Sequence, residues 1–117
     1  MVNESREVAE PANFAKLTEL HDMASSACVL LKAMANEWRL IILCQLAEGE
    51  KTVGELQKLL GLSQSALSQH LAILRREKIV RSRKNAQSVS YSLTGDDATK
   101  VMASLHDVFC GAASKQE

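Results

Sequence analysis

The sequence predicts a mainly α-helical domain that carries one small β-hairpin. Its 117 residues fit one domain, and a single proline and five glycines leave few positions that would interrupt helices. Apolar residues recur every three or four positions through most of the chain, which is the spacing of one buried helix face. Only residues 79–93 depart from this spacing, and their alternation of apolar and polar residues is typical of strands.

The first part of the chain is expected to hold an N-terminal arm and two helices. Residues 1–12 are polar and contain the proline, so we predict a flexible arm there, followed by a folded domain over residues 13–117. An amphipathic pattern predicts a long first helix over residues 14–34. Asn36 is a favoured capping residue for the second helix, and Gly49 is expected to end it.

Two short helices joined by a tight turn are predicted next. Thr52 and Glu55 match a capping box, in which each side chain accepts a hydrogen bond from the other residue's backbone N–H. Gly61 supplies the turn, and Ser63 caps the following helix. The residues expected to face the core are Val53, Leu56, Leu59 and Leu60 in the first of these helices and Leu67, Leu71 and Leu74 in the second.

The hairpin and a last helix complete the predicted elements. Residues 79–84 and 87–93 are expected to form the two strands, with Asn85-Ala86 at the turn. In the second strand the apolar residues alternate with serines, which predicts one buried apolar face. The final helix is expected to begin near Asp96, where acidic side chains stabilise a helix N-terminus.

Charge is distributed unevenly along a chain whose net charge is zero. Residues 63–95 contain six basic residues and one acid, a net charge of +5, and the segments on either side are net negative. A basic segment of this kind indicates a surface for the phosphates of a nucleic acid. The alternative is an ordinary solvated face, and charge alone does not choose between the two.

Two short helices followed by a basic hairpin make a winged helix-turn-helix arrangement. The second short helix then presents polar side chains to base edges in a major groove, and the hairpin presents cations to phosphate or to the minor groove. The predicted DNA-binding residues are Gln64, Ser65, Ser68, Gln69 and His70 in the helix and Arg81, Arg83, Lys84, Asn85 and Gln87 in the hairpin. The alternative is a helical hairpin packed on a sheet with no ligand.

The same segments resemble the ArsR/SmtB family of winged helix-turn-helix repressors. Residues 31–43, LKAMANEWRLIIL, resemble the family's opening motif, although Glu37 replaces its common proline. Residues 52–56, TVGEL, and residues 62–75, LSQSALSQHLAILR, resemble its DNA-reading block. The resemblance implies five helices with the hairpin between the fourth and fifth, a homodimer formed by the first and last helices, and double-stranded operator DNA as partner.

Two metal sites of the family lack their ligands in this sequence. Where the soft-metal site has a Cys-x-Cys pair, this chain reads Thr-Val-Gly-Glu over residues 52–55, which contains no thiol. Where the zinc or nickel site needs several histidines and carboxylates on the last helix, this chain offers Asp97 and a single His106. We therefore expect no metal and no other cofactor.

Three cysteines remain as candidates for sensing an inducer. Their number and spacing do not suit a secreted disulfide framework, so they are expected to be thiols. Cys44 and Cys110 resemble the dithiol of the sulfide-responsive BigR/SqrR-like branch of the family, which implies that reactive sulfur species bridge them and release the DNA. Cys28 is expected to be a packed apolar residue. Peroxide, arsenic or another thiophilic ion acting on the same cysteines is the alternative.

Other classes of function have less support in the sequence. No run of 18 apolar residues would span a membrane and the N-terminus lacks the apolar core of a signal peptide, so we expect a cytoplasmic protein. A thiol enzyme is not expected, because His21, His70 and His106 show no spacing that marks one as a base. A non-catalytic helical adaptor that binds protein is the last alternative, and the basic hairpin argues against it.

Overall fold

The computed structural model describes the backbone of residues 12–111 and the side chains of residues 16–111. The chain divides into two compact units between Lys32 and Ala33. The first unit contains most of helix α1 (Ala12–Met34). Its exposed large apolar side chains are Leu17, Leu20, Met23, Val29 and Leu31. The predicted N-terminal arm lies outside the described residues, apart from Ala12, where α1 begins.

Helix α2 (Glu37–Ala47) begins at the predicted cap and supplies much of the core of the second unit. The Asn36 Oδ1 accepts hydrogen bonds from the backbone N–H groups of Trp38 at 2.9 Å and of Arg39 at 3.1 Å, which confirms the cap. The buried side chains of the helix are Ile42, Leu43 and Leu46. Gly49 lies just past the helix end with a φ of 146°, a conformation that favours glycine.

Helix α3 (Val53–Leu60) opens with the predicted capping box. The Thr52 Oγ1 accepts a hydrogen bond from the Glu55 N–H at 3.0 Å, and the Glu55 carboxylate accepts one from the Thr52 N–H at 2.8 Å. Leu56 is fully buried, as predicted, but Leu59 is 56% exposed. The prediction for Leu59 is wrong because so short a helix contacts the core through one narrow stripe centred on Leu56.

Helix α4 (Gln64–Arg76) follows a left-handed turn at Gly61, where φ is 71°. Ser63 caps the helix as predicted, and its Oγ accepts a hydrogen bond from the Ala66 N–H at 3.1 Å. The three leucines predicted to be buried are confirmed, each at 1% exposure or less: Leu67, Leu71 and Leu74. One continuous stripe therefore anchors α4 on the core.

A three-stranded antiparallel sheet replaces the predicted two-stranded hairpin. Strand β3 (Ser88–Leu93) lies in the middle, with β2 (Val80–Asn85) on one edge and β1 (Lys51–Thr52) on the other. The sequence did not reveal β1, because two residues are too few to show an alternation. Its presence makes β3 a central strand rather than an edge strand.

The hairpin turn lies one residue later than predicted. Asn85 pairs with Ser88 across the ladder, so the turn residues are Ala86 and Gln87 instead of Asn85 and Ala86. The preference of Asn for turns misplaced the prediction, since Asn85 supplies the last ladder pair. Ala86 has a φ of 58°, which costs a residue with a Cβ roughly 1–2 kcal/mol.

Burial within β3 also differs from the predicted alternation. Ser90 is buried at 7% exposure, whereas the three apolar residues of the strand are only half-buried. Ser90 lies opposite Thr52 of β1 on one side and opposite Arg83 of β2 on the other. Side chains directly opposite one another share a face of a sheet, so Thr52 and Arg83 flank Ser90 on its two sides.

Helix α5 (Asp97–His106) is the last helix described, and it continues into a π-helical turn (Asp107–Gly111). The helix packs against α2. Its buried side chains are Ala98 and Met102, and the exposed large apolar side chains of the helix and the π-helical turn are Leu105, Val108 and Phe109. The architecture is the predicted winged helix-turn-helix with one short strand added.

Candidate nucleic-acid interface and sensing thiols

One face of α4 carries a row of small polar side chains that is open to solvent. The exposed members of this polar row are Gln64, Ser65, Ser68 and Gln69, with Ala72 beside them. The row lies opposite the buried leucines, so the packing of those leucines fixes the direction in which it projects. Hydroxyl and amide groups can both donate to and accept from base edges. Helix α4 therefore has the surface that a recognition helix needs.

His70, the fifth residue predicted in this helix, has a different environment. It is half-buried, and its Nδ1 lies 3.3 Å from the Nη1 of Arg39 on α2. Burial and the nearby Arg39 guanidinium lower the pKa of His70 below its ordinary value of 6.5, so the neutral ring is favoured. Arg39 also donates from its Nε to the Ala33 carbonyl oxygen at 2.6 Å. Arg39 thus connects the recognition helix to the end of α1.

The C-terminal end of α4 leads directly into the hairpin, or wing. The Lys78 N–H donates to the Arg75 carbonyl oxygen and the Ile79 N–H to the Leu74 carbonyl oxygen, both at 2.9 Å. This pair of hydrogen bonds is a Schellman motif, and Lys78 adopts a left-handed φ of 62° within it. Leu74 and Ile79 are buried on either side of the turn. No flexible linker therefore separates the recognition helix from the wing.

Two arginines of the wing lie on one face of the sheet, and other side chains of the protein bind both. The Arg81 Nε donates to the Ser92 Oγ at 3.2 Å. The Arg83 Nε and Nη2 donate to the two carboxylate oxygens of Glu50 at 3.1 and 3.0 Å. No local pattern indicated a role for Glu50, because 33 residues separate it from Arg83 and the pairing of β1 with β3 brings them together.

The tip of the wing is polar and exposed. Lys84 alternates with Arg83 and so lies on the opposite face of the sheet. Among residues 16–111, no acidic side chain lies within 4.0 Å of the Lys84 Nζ. Asn85 and Gln87 are exposed beside the turn, and the Asn85 carbonyl oxygen accepts a hydrogen bond from the Ser88 Oγ at 3.1 Å. Lys84, Asn85 and Gln87 are therefore open to a ligand.

Cys44 and Cys110 are both free and exposed. Cys44 follows the exposed Trp38 and Ile41 at intervals of three residues on the outer side of α2. Cys110 lies in the π-helical turn that extends α5, and α5 packs against α2. Helix α5 therefore connects the two thiols: it packs against the helix that carries Cys44 and continues into the turn that carries Cys110. Cys44 is thus exposed in the single chain even though it directly follows the buried Leu43.

Cys28, the third cysteine, is exposed on α1, contrary to the prediction that it is packed. Its neighbour Val29 is also 51% exposed. Cys28 lines a shallow groove along the surface of α1 together with His21, Ser25 and Lys32. The apolar residues around Cys28 therefore do not mark burial within one chain.

The described residues contain neither a cluster of metal ligands nor a membrane-spanning helix. In residues 16–111, no group of three or more His, Cys, Asp or Glu side chains is placed to hold a metal ion. The helices of this part of the chain are not long and apolar enough to cross a membrane. The absence of a metal cofactor remains a prediction.

Comparison with known proteins identifies the family. Residues 36–82, from the cap of α2 into β2, match the bacterial regulatory protein, arsR family. The transcriptional activator HlyU of Vibrio cholerae serotype O1 is 52% identical over 96 residues, which cover 82% of this chain and 89% of HlyU. The chain belongs to the ArsR family. Members of this family bind DNA, so this ArsR-family protein is a DNA-binding transcriptional regulator.

A second relative matches almost the whole ArsR-family chain. The biofilm growth-associated repressor of Xylella fastidiosa strain 9a5c is 37% identical over 116 residues, 99% of each protein. The solved structure of the repressor BigR from Xylella fastidiosa has a TM-score of 0.75 at 36% identity, and it covers 80% of this chain and 95% of its own. Reduced HlyU from Vibrio cholerae N16961 has a TM-score of 0.74 at 52% identity, with 79% and 97% covered. These similarities confirm the predicted fold.

Proposed function

We propose that this protein is a homodimeric repressor that leaves its operator when reactive sulfur species link Cys44 to Cys110. The observation that carries the proposal is that both thiols are free and exposed and that α5, which packs against the helix of Cys44, continues into the turn of Cys110. Cys44 lies on α2, and Cys110 lies on the turn that extends α5. A π-helical turn is an irregularity that is often found at functional sites.

The proposed DNA contact assigns two roles to the ten residues predicted from sequence. The polar row of α4 reads base edges, and His70 stands at its inner edge with Nδ1 turned toward Arg39. Cations of the wing bind phosphate, with Asn85 and Gln87 beside them at the tip. The fixed turn between α4 and the wing supports this division, because it holds the two surfaces in one arrangement.

The proposed dimer uses the apolar side chains that the single chain leaves exposed. Leu17 and Leu20 on α1 are 58% and 54% exposed, and Val108 and Phe109 at the end of α5 are 59% and 73% exposed. A second copy would remove this surface from water at roughly 25 cal/mol per Å². Two recognition helices with their wings, related by a two-fold axis, would fit a near-palindromic operator. Sedimentation at micromolar concentration should therefore give twice the 12.8 kDa chain mass, and a 12.8 kDa species would contradict the dimer.

The proposed linking reaction balances with an organic persulfide, RSSH, as the only co-reactant. The Cys44 thiolate takes the outer sulfur from one RSSH, and the resulting persulfide takes another from a second, so two RSH molecules leave. The Cys110 thiolate then attacks the middle sulfur of the Cys44 trisulfane and expels hydrogen sulfide. The product is a Cys44–S–Cys110 trisulfide. Such a bridge spans a wider gap than a direct disulfide, whose Cα atoms must lie within about 7 Å.

The link would act on DNA binding through the helices that it joins. Helix α2 packs against both α4 and α5, so a covalent tie between α2 and the end of α5 acts on a support of the recognition helix. In the proposed dimer the end of α5 also contributes to the interface that sets the distance between the two recognition helices. Half-sites on DNA must match that distance, so a small shift in it lowers operator affinity.

The test treats the reduced protein with an organic persulfide and follows both mass and operator affinity. We expect an intramolecular bridge that adds one sulfur and removes two hydrogens, together with loss of operator binding. Cys44→Ser and Cys110→Ser should each remain bound to DNA after treatment. Cys28→Ser is the matched control and should respond like the unmodified protein. Loss of the response in Cys28→Ser alone, or release without a bridge, would overturn the proposed switch.

Peroxide sensing by the same dithiol is the second candidate. The observation that favours it is a relative whose structure is described as reduced HlyU. Hydrogen peroxide would give a direct Cys44–Cys110 disulfide and two water molecules, with a mass loss of two hydrogens. Release of DNA by peroxide at lower concentration than by persulfide would favour this candidate.

The direction of regulation is proposed from the Xylella repressor, which this chain matches end to end. HlyU is named as an activator, so the sign needs its own measurement. Transcription from the operator should rise in cells that lack this protein. A fall in transcription would show activation and would leave the thiol chemistry unaffected.

A further inference from the structure

The register of the sheet places one carboxylate and one arginine on the same face. Thr52, Ser90 and Arg83 lie opposite one another across β1, β3 and β2, so their side chains share a face. Glu50 precedes Thr52 by two residues, so it continues this face of the sheet just before the start of β1. Arg83 reaches diagonally across the sheet to Glu50 and forms the two hydrogen bonds described above.

The Glu50–Arg83 pair differs from the contacts of the other wing cations. Arg81 is bound by a neutral hydroxyl, and Lys84 has no acidic partner among residues 16–111. Both carboxylate oxygens of Glu50 receive an N–H of the Arg83 guanidinium, the two-point geometry that phosphate oxygens also satisfy. The side chains of Arg83 and Glu50 are 64% and 36% exposed, so an incoming ligand can reach the pair.

We infer that Glu50 competes with DNA phosphate for Arg83 and thereby lowers the affinity of the wing for any duplex. The inference rests on the proposed assignment of Arg83 to phosphate. In the DNA-free protein the carboxylate holds the donors that the backbone of DNA needs, so each binding event replaces one anion by another. The wing then contributes less sequence-independent affinity, and the polar row of α4 contributes a larger share of the total.

The size of the effect follows from the exposure of the pair. Exposed ion pairs are weak, and a two-point Arg–carboxylate pair lies at the strong end of that range. Removing the competitor should therefore tighten DNA binding by about two- to fivefold for each wing that contacts the duplex. The gain should be similar for operator and random DNA, because phosphates carry no sequence information.

The experiment is a double-mutant cycle on the reduced full-length chain, with binding to operator and random duplexes followed by fluorescence anisotropy. Glu50→Gln should tighten binding to both duplexes, and Arg83→Ala should weaken binding to both. In the Arg83→Ala background, Glu50→Gln should have no further effect. Glu48→Gln is the matched control, because it removes the same charge from the same loop. Glu48 faces Lys51 at 3.7 Å, so its removal leaves Arg83 untouched.

Each other outcome overturns the inference in a recognisable way. If Arg83→Ala leaves affinity unchanged, the phosphate assignment fails and the inference fails with it. If Arg83→Ala weakens binding but Glu50→Gln does not tighten it, the assignment stands and the competition is wrong. Equal tightening by Glu50→Gln and Glu48→Gln, or tightening that persists in the Arg83→Ala background, would show general repulsion of DNA instead. Thermal unfolding of each variant confirms that the wing remains folded.

Discussion

The recognition helix and the wing hold the side chains that we propose contact DNA in two different ways. The polar row of α4 projects into solvent, and the leucines on the other side of the same helix fix its direction. The two wing arginines are instead bound by other side chains, Arg81 by Ser92 of the adjacent strand and Arg83 by Glu50 from outside the hairpin. The difference shows that a helix can set its reading face by local periodicity, whereas the wing depends on the register of a sheet.

The largest expected effect comes from removing the support beneath the polar row. Leu71→Ala should lower the free energy of unfolding by about 2–5 kcal/mol, because it leaves a cavity under the centre of α4. Ser68→Ala, one turn earlier on the exposed face, should change it by no more than about 0.5 kcal/mol. Urea denaturation measures both. Equal costs would mean that the leucine stripe does not anchor the helix.

The next effect separates the recognition of base sequence from the non-specific attraction to phosphate. Gln69→Ala should reduce the preference for operator over random DNA by about 1–3 kcal/mol, because it removes one of the proposed base contacts. Arg83→Ala should weaken both duplexes alike and leave that preference unchanged. Competition binding of the two duplexes gives the preference directly. A loss of preference in Arg83→Ala, with none in Gln69→Ala, would reverse the assignment of the two regions.

A smaller effect is expected when an alanine is replaced by glycine in each of the two regions. Ala86→Gly at the wing turn should raise the free energy of unfolding by roughly 0.5 kcal/mol, because the steric cost relieved at a φ of 58° exceeds the extra backbone entropy that glycine loses on folding. Ala72→Gly on α4 should lower it by about 1 kcal/mol, because glycine is a poor helix residue. Denaturation curves of the pair should therefore shift in opposite directions. A shift in the same direction would contradict the strain assigned to the turn.

The smallest expected effect is a pH dependence that arises on the inner edge of the recognition helix. The pKa of His70 is lowered in the folded protein by burial and by Arg39, so the unfolded chain takes up a proton first as the pH falls. The free energy of unfolding is therefore undiminished above about pH 6.5. It decreases as the pH falls from that value toward the lowered pKa of His70 in the folded protein. His70→Gln should therefore show a shallower loss of stability between about pH 7 and pH 5. An unchanged slope would show that His70 does not contribute.

How much could be predicted from sequence depended on how far apart the interacting residues lie. The caps at Asn36 and Ser63 were predicted correctly because their hydrogen-bond partners lie within three residues, and the buried stripe of α4 because its leucines recur every three or four residues. The four exposed residues of the polar row followed from the same periodicity. The corrections at Leu59 and Ser90 arose where tertiary packing decides which face of an element is covered.

The partners of the site residues could not be predicted in the same way. Arg39 and His70 are 31 residues apart, and Glu50 and Arg83 are 33 residues apart. No local pattern connects such pairs, and the strand that aligns the second pair is only two residues long. The resemblance to a family supplied the roles of the cysteines, which neither spacing nor composition would have assigned.

Thr52 belongs to two kinds of secondary structure at once. Its backbone is the last residue of β1, opposite Ser90, and its side chain caps α3. If a residue were inserted after Thr52, the last residue of β1 and the cap of α3 would be two different residues, because one of the two elements would have to end at the new residue. Insertions nearer Gly49 meet no such double constraint. We therefore expect chain length to vary among natural homologues before Glu50, and to be invariant from Thr52 to Glu55.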